Sequence, residues 1–350
     1  MQCVCVKQFS EDMVEETRDD LFPSDSEVVL RVLAAGVCHS DIHIRDGGYD
    51  LGHGEKLSLA ARGMKLPVIM GHESVGVVTA VGPDAQGVEV GQKAVIYPWN
   101  GCGKCALCIA GRENYCATPN FIGIHCDGGY AEQVKVPHPR YLFGIGDIDP
   151  SVAAPYACSG LTTFSALKKV EDSLTSVPLV IFGAGGLGLT CISLIKALGG
   201  LPPIVVDIDP NKRAAAIAAG ARAAIDGSTP DAMAQIQAAA GGAVPAIIDF
   251  VGNEQTAALA FDTLPKGGKL VIVGLFGGAT PWKLPLIPLK AMTIMGSYMG
   301  SLPEFRELME IALKSAIPPI PVTEFPLKDA ESVLKRLDRG EVLGRAILRP

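Results

Sequence analysis

The chain has no long run of basic residues, and 30 Lys and Arg against 37 Asp and Glu leave a formal charge of -7. Phosphate backbones are bound by clustered cations, so no nucleic-acid partner is expected. No repeat at solenoid periods is present. The start, Met1-Gln2-Cys3-Val4-Cys5-Val6-Lys7, lacks the charged head, long apolar stretch and small-residue cleavage site of a signal peptide, which makes a cytoplasmic location the expectation. In that compartment the ten cysteines read as metal ligands or buried thiols rather than disulfides. An unbroken membrane-length apolar run is also missing. Between Val177 and Val206 the only charge is Lys196, yet six glycines and Pro202-Pro203 divide the stretch into a strand, a turn and a buried helix.

What remains is a packed globular composition, with 48% hydrophobic residues, 19% charged residues, 40 glycines and 25 prolines. A length of 350 residues suits two domains. The first 150 or so residues are Val-rich in short runs broken by Gly and Pro, as in Val28–Leu33 and Val75–Gly82, and read as a β-rich, barrel-like unit. From Pro178 apolar strands alternate with helices: strands over 179–182, 204–207, 246–250 and 270–273, helices over 187–198 and 212–219. That alternation predicts a parallel, doubly wound sheet, and a further helix is expected over 303–314.

The strand over 179–182 runs into Gly183-Ala184-Gly185-Gly186-Leu187-Gly188, a G-x-G-x-x-G that opens a helix. The first glycine permits the turn, the second lets a pyrophosphate approach the backbone, and the third lets helix and strand pack. Asp207 ends the next strand nineteen residues after Gly188, where a carboxylate binds ribose hydroxyls and repels the extra phosphate of NADP. NAD is therefore favoured, although Lys212 and Arg213 lie just beyond and could partly accommodate a phosphate.

Cys102, Cys105, Cys108 and Cys116 follow a C-x2-C-x2-C-x7-C spacing in a lobe of about residues 100–118. Four thiolates this close can close a tetrahedral shell around zinc with no open position, a scaffold site. An iron–sulfur cluster also takes four thiolates, but the ferredoxin pattern has a closer fourth cysteine followed by proline, whereas Cys116 is followed by Ala117. Elsewhere Cys38, His72 and Cys158 stand out. Each alone reads as a buried thiol or a core histidine; together, two thiolates and one imidazole with an open fourth position form the ligand set of a catalytic, alcohol-oxidising zinc.

The run Gly36-Val37-Cys38-His39-Ser40-Asp41, then Gly71-His72-Glu73, the four-cysteine lobe, Ala154-Pro155-Tyr156-Ala157-Cys158-Ser159-Gly160, the glycine motif and Gly344-Arg345 occur in one order along the chain. In this the chain resembles the zinc-dependent medium-chain alcohol dehydrogenases of the medium-chain dehydrogenase/reductase superfamily, almost end to end. The resemblance implies an α/β fold with a GroES-like catalytic domain over 1–158 and 297–350, interrupted by a Rossmann NAD-binding domain over 159–296. It implies Cys38, His72 and Cys158 as ligands of a catalytic zinc, with Glu73 an alternate or nearby ligand. Asp41 matches the carboxylate that holds the zinc-bound histidine. Ser40 matches the hydroxyl that takes the alcohol proton, and His43 the base that passes it through the ribose to solvent. His39 and Arg345 match pyrophosphate contacts, and Val251 and Gly274 are expected as further cofactor contacts.

Two zinc ions per chain, NAD, and a small alcohol, aldehyde or ketone are the expected partners, with no nucleic acid and no membrane. A homodimer or homotetramer is expected, joined through the sheet edge around Lys290 to Tyr298. Polyol-oxidising relatives usually carry glutamate at the place of Cys158, which leans the reading towards simple alcohols. Trp99 falls in the stretch that lines the family's substrate pocket, and it reads equally as a core tryptophan. The segment 47–65 looks about ten residues longer than in compact relatives and is expected to shape the substrate entrance, with Tyr49 and Leu51 as apolar walls. Three alternatives remain: a polyol-type or aldehyde-reducing member preferring NADP, a dinucleotide-binding protein without activity, and a zinc-free quinone or enoyl reductase. The last would lack Cys38, His72 and Cys158.

Overall fold

The computed structural model describes residues 1–242, 244–314 and 317–350. In the N-terminal part, the long strand Val28–Val37 is the axis of a seven-stranded sheet. It pairs antiparallel with Glu73–Val81 on one side and with the C-terminal strand Arg345–Arg349 on the other, and its first residues also pair with Gln133–Val136. Val322–Pro326, Lys93–Ile96 and Leu142–Gly144 complete the sheet. The chain thus returns at its end to this sheet, where Ala346, next to Arg345, pairs with Val37, the residue before Cys38.

Between these parts lies a second sheet of six parallel strands, ordered Ala223–Ile225, Ile204–Val206, Val180–Phe182, Ala246–Asp249, Lys269–Ile272 and Thr293–Gly296. Sequence order reverses beside Val180–Phe182, the switch point at which open α/β sheets bind ligands. Side chains alternate across this sheet. Ile181, Val205, Ile248 and Val271 face the core shared with the first sheet, whereas Val180, Phe182, Ile204, Ile247 and Leu270 face a second core. Burial on both faces accounts for strands that read as continuous apolar runs.

Helix ends follow local chemistry. Asp209 accepts from the Asn211 and Lys212 amides at the head of Pro210–Ala219, and Gly220 takes the left-handed position that ends it. Ser301 and Glu304 form a capping box for Leu302–Leu313. The predicted strands and helices of the doubly wound region all occur, with ends shifted by one or two residues. Among the described residues no helix is long and apolar enough to cross a membrane.

The segment 47–65 is not a loop. Gly48–Gly52 and Glu55–Ser58 form a two-stranded antiparallel hairpin. Its Gly52 lies so close to the second unit that a Cβ there would stand 2.7 Å from the Ala279 amide nitrogen, and a Cβ on Gly277 would stand 2.8 Å from the Asp50 carbonyl oxygen. The hairpin therefore bridges one side of the cleft between the two sheets.

Candidate active site

Cys38 precedes the short helix His39–Arg45, and the Asp41 carboxylate accepts from the Cys38 amide at 2.9 Å. An acid in the first turn with His43 and Arg45 in the last suits the helix dipole. The long strand, the Gly71-His72-Glu73 strand start and the turn before helix Ser159–Lys168 bring Cys38, His72 and Cys158 together. Their ligand atoms lie within 4.8 Å of one another and all three residues are buried. Asp41 Oδ1 lies 3.2 Å from His72 Nδ1, and Asp41 Oδ2 also accepts from the Tyr130 hydroxyl at 2.8 Å.

Both His72 ring nitrogens are buried without a well-formed hydrogen bond among the described residues, as is Asp41 Oδ1; with Nδ1 beside that carboxylate at 3.2 Å, Nε2 is the nitrogen left for a metal. A buried nitrogen lone pair normally finds a partner, and here the imidazole lies within 4.8 Å of the Cys38 and Cys158 sulfurs. The Cys38 thiol is pulled far down by the hydrogen bond from Cys158, against its burial, with help from His72. Cys158 is pushed up by the same contact and by burial. Two thiols and an oriented imidazole are the three protein ligands that suit a catalytic zinc.

Glu73 is fully buried beside these residues but is turned away from them. Its Oε1 accepts from the Ser159 amide at 3.0 Å, and Oε2 pairs with the Arg345 guanidinium. Burial pushes the Glu73 carboxyl up to about 7, opposed by Arg345. Arg345 also passes directly under the glycine turn: a Cβ on Gly186 would stand 2.6 Å from Arg345 Cδ. The pair thus connects the metal-ligand strand to the head of helix Gly186–Ala197, where a pyrophosphate would meet the helix N-terminus.

Gly183, Gly185, Gly186, Leu187 and Gly188 form the turn and first residues of that helix, and any side chain on Gly188 would collide with the Gly183 carbonyl. Asp207 is engaged by the same turn. Its Oδ2 accepts from the Ala184 amide at 2.7 Å and Oδ1 from the Asp209 amide at 2.9 Å. Arg213 donates to the Asp207 carbonyl at 2.9 Å and pairs with Asp226 at 3.2 Å, so this cation is already occupied. Lys212 lies near Gly340. Val251 and Gly274 pack backbone to backbone at the carboxyl ends of adjacent strands, and Val251 also touches Gly183.

On the helix after Cys38, Ser40 and His43 share a face. The His43 ring is 4.8 Å from the Tyr49 ring of the hairpin, and burial lowers its pKa below the usual value of 6.5. His39 is exposed, 6.4 Å from the ring of Phe276 on the loop after Gly274. Trp99 is buried, 5.3 Å from the His72 ring, and donates to the Ala157 carbonyl at 3.1 Å, so it is a core residue packed against the ligand histidine. Leu51 is 46% exposed, on the outer part of the hairpin.

Cys102, Cys105, Cys108 and Cys116 form the second cluster, with ligand atoms within 4.8 Å of one another. Three of the sulfur separations are 3.4, 3.9 and 3.9 Å, against about 3.8 Å along the edge of a tetrahedron with Zn–S bonds of about 2.3 Å. All four are free thiols. Amide groups of Lys104 and Cys105 pull Cys102 down to about 6, and burial and the neighbouring thiols push Cys108 up to about 12. Buried Glu113 holds the lobe, accepting from the Gly101 amide at 3.1 Å and the Tyr141 hydroxyl at 2.6 Å.

Sequence reasoning missed Tyr130, the pairing of Glu73 with Arg345, and Phe276. The Gly128-Gly129 pair before Tyr130 was the available signal for the first.

Comparison with known proteins agrees with this geometry. Residues 24–147 match the alcohol dehydrogenase GroES-like domain and residues 186–314 the zinc-binding dehydrogenase domain. An NAD-dependent alcohol dehydrogenase of Saccharolobus solfataricus is 36% identical over 94% of both chains. An alcohol dehydrogenase of Geobacillus stearothermophilus is 33% identical over 100% of this chain and 99% of its own. Among solved structures, the alcohol dehydrogenase of Aeropyrum pernix superposes with a TM-score of 0.90 at 29% identity, over 100% of both chains. The chain belongs to the zinc-binding, GroES-like alcohol dehydrogenase family of the medium-chain dehydrogenase/reductase superfamily.

Proposed function

We propose that the protein is an alcohol dehydrogenase that moves hydride reversibly between an alcohol and NAD, using one catalytic and one structural zinc. The observation that carries this reading is the convergence of Cys38, His72 and Cys158 around the unpartnered His72 Nε2, beside the glycine turn and Arg345. Zinc held by these three residues would supply Lewis acidity that eases loss of the alcohol proton, and NAD bound at the glycine turn would accept the hydride.

The chain's own residues do the rest. Asp41 fixes the His72 tautomer with Nε2 free. Trp99, with Phe121 at 5.4 Å from it, walls the ligands off from water. The amides of the glycine turn, with Arg345, receive the pyrophosphate, and Asp207 receives the ribose hydroxyls. Ser40 takes the substrate proton and His43 carries it outward. Because burial disfavours the imidazolium, His43 is neutral and able to accept a proton at neutral pH.

His43→Ala is expected to slow alcohol oxidation by on the order of 100-fold at neutral pH. In the wild type the loss of rate on acidification that belongs to His43 protonation falls below pH 6.5, and the variant lacks it. Equal rates and superimposable pH profiles would remove the relay role. For the cofactor, Asp207→Ser is expected to raise the NADP to NAD ratio of kcat/KM roughly 10- to 100-fold, the effect of losing a charged hydrogen-bond partner and a like-charge contact. No movement towards NADP would count against Asp207 as the discriminator.

The catalytic domain is assigned to 1–158 and 297–350 and the cofactor domain to 159–296, which is supported by the return of Arg345–Arg349 to the first sheet. Association into a homodimer or homotetramer is assigned to the edge strand Thr293–Gly296, flanked by the exposed Leu289 and Tyr298. The assigned location is cytoplasmic. The Tyr49 ring over His43 favours a medium-sized or aromatic alcohol over ethanol. The test is cofactor reduction over aliphatic, secondary and benzylic alcohols with NAD and NADP. Alcohol-dependent NADH formation, fastest with benzylic substrates, is expected; no reduction by any alcohol in zinc-replete protein would overturn the reading.

A further inference from the structure

We propose that Tyr130 is a positioning residue for the catalytic metal site, its hydroxyl fixing the His72 imidazole through Asp41. This rests on the reading of Cys38, His72 and Cys158 as metal ligands. The Asp41 carboxylate is completely buried, so protein donors must replace its water. Its Oδ2 has two donors, the Cys38 amide at 2.9 Å and the Tyr130 hydroxyl at 2.8 Å, while Oδ1 faces His72 Nδ1 at 3.2 Å. Tyr130 is itself fully buried. A phenylalanine would fill the same core space, so what the tyrosine adds is one hydroxyl, and that hydroxyl is spent on Asp41. The Gly36 carbonyl, 3.5 Å away, is a distant second acceptor.

The surrounding chain is built to bring this hydroxyl under the ligand. Gly128 and Gly129 amides donate to the Ile69 and Gly71 carbonyls at 2.8 Å each, and the Tyr130 amide donates to Met70 at 3.0 Å. Residues 128–130 are thereby stitched to the residues immediately before His72. Gly71 has φ +95°, and a Cβ there would stand 2.5 Å from Tyr130 Cδ1; a Cβ on Gly123 would stand 2.9 Å from the Gly71 backbone. The glycines leave a space that the tyrosine ring fills. The result is a chain of contacts, Tyr130 to Asp41 to His72, in which the outermost member touches neither metal nor substrate.

The test compares zinc release to a chelator in wild type, Tyr130→Phe, Asp41→Asn and the double variant, with the zinc of the cysteine lobe as an internal reference. The phenyl ring keeps the packing against Gly71. In Tyr130→Phe the catalytic zinc is expected to leave about tenfold faster, the scale of a charged hydrogen bond lost behind a metal ligand. The lobe zinc is expected to leave at the wild-type rate. In the Asp41→Asn background the same change is expected to add less than about twofold, because a residue acting through Asp41 loses its effect with it. Release at the wild-type rate in Tyr130→Phe overturns the proposal, as does an undiminished effect in the double variant, which would mark a packing role. A wild-type protein that binds zinc only in the lobe overturns the ligand reading, and the proposal with it.

Discussion

Replacing His72 by alanine is expected to lower kcat/KM for alcohol oxidation by more than about a thousandfold, and zinc content is expected to fall from two per chain to one. The size follows from what is lost: zinc moves the pKa of a bound water from 15.7 to about 7, and an unaided alcohol hydroxyl is as weak an acid as free water. His72 supplies the one neutral ligand of the buried trio, and its orientation is set by Asp41 at 3.2 Å. Two thiolates alone do not close a site. Cys158→Ser provides an independent check, since its side chain approaches the same point from the cleft helix. The lobe, which shares no ligand with this cluster, keeps its zinc in both variants. Full activity in either variant, or an unchanged zinc count, would contradict the assignment of the chemistry to these residues.

Cys105→Ser is expected to show the opposite profile. Structural zinc in small metal-bound peptides supplies apparent binding energies of about 10–16 kcal/mol at neutral pH. Here part of the lobe's order comes from Glu113, which binds Gly101 and Tyr141, and from Asn114, which donates to the Tyr298 carbonyl at 3.1 Å. A loss of roughly 3–5 kcal/mol is therefore expected, or a Tm lower by about 4–7 °C for a protein of this size. Turnover per folded molecule well below the new Tm is expected to stay within about twofold of wild type. The lobe is tied to the Tyr298 carbonyl, just past the end of the assigned cofactor domain, but contributes no atom to the ligand trio. An unchanged Tm in protein that has lost one zinc would deny the lobe its structural role.

The doubly wound sheet was legible because its strands are short apolar runs ended by Gly, Pro or Asp, and burial on both faces leaves no polar alternation to blur them. The four-cysteine lobe was legible because its ligands are local in the chain. The catalytic trio was only half legible: Cys38, His72 and Cys158 are far apart in sequence, each has an ordinary core reading, and it was the ordered set of family motifs that joined them. Long-range pairings were not legible at all. Glu73 and Arg345 are 272 positions apart, and nothing local says that one carboxylate will hold the arginine beneath Gly186. Asp207 was found from its position at a strand end, but its hold on the Ala184 amide was not, since that depends on the close packing of the glycine turn. The hairpin over 48–58 escaped because its polar, glycine-rich sequence has weak strand character; its cross-strand pairs and its contact with Gly277 and Ala279 stabilise it.

Metal content measured together with activity tests the central claim most directly. Purified protein is expected to hold close to two zinc ions per chain. Chelation that removes the more labile ion should abolish alcohol-dependent NADH formation, and one equivalent of added zinc should restore it. A protein with essentially no zinc, or one whose alcohol-dependent NADH formation persists after the labile zinc is removed, would contradict it.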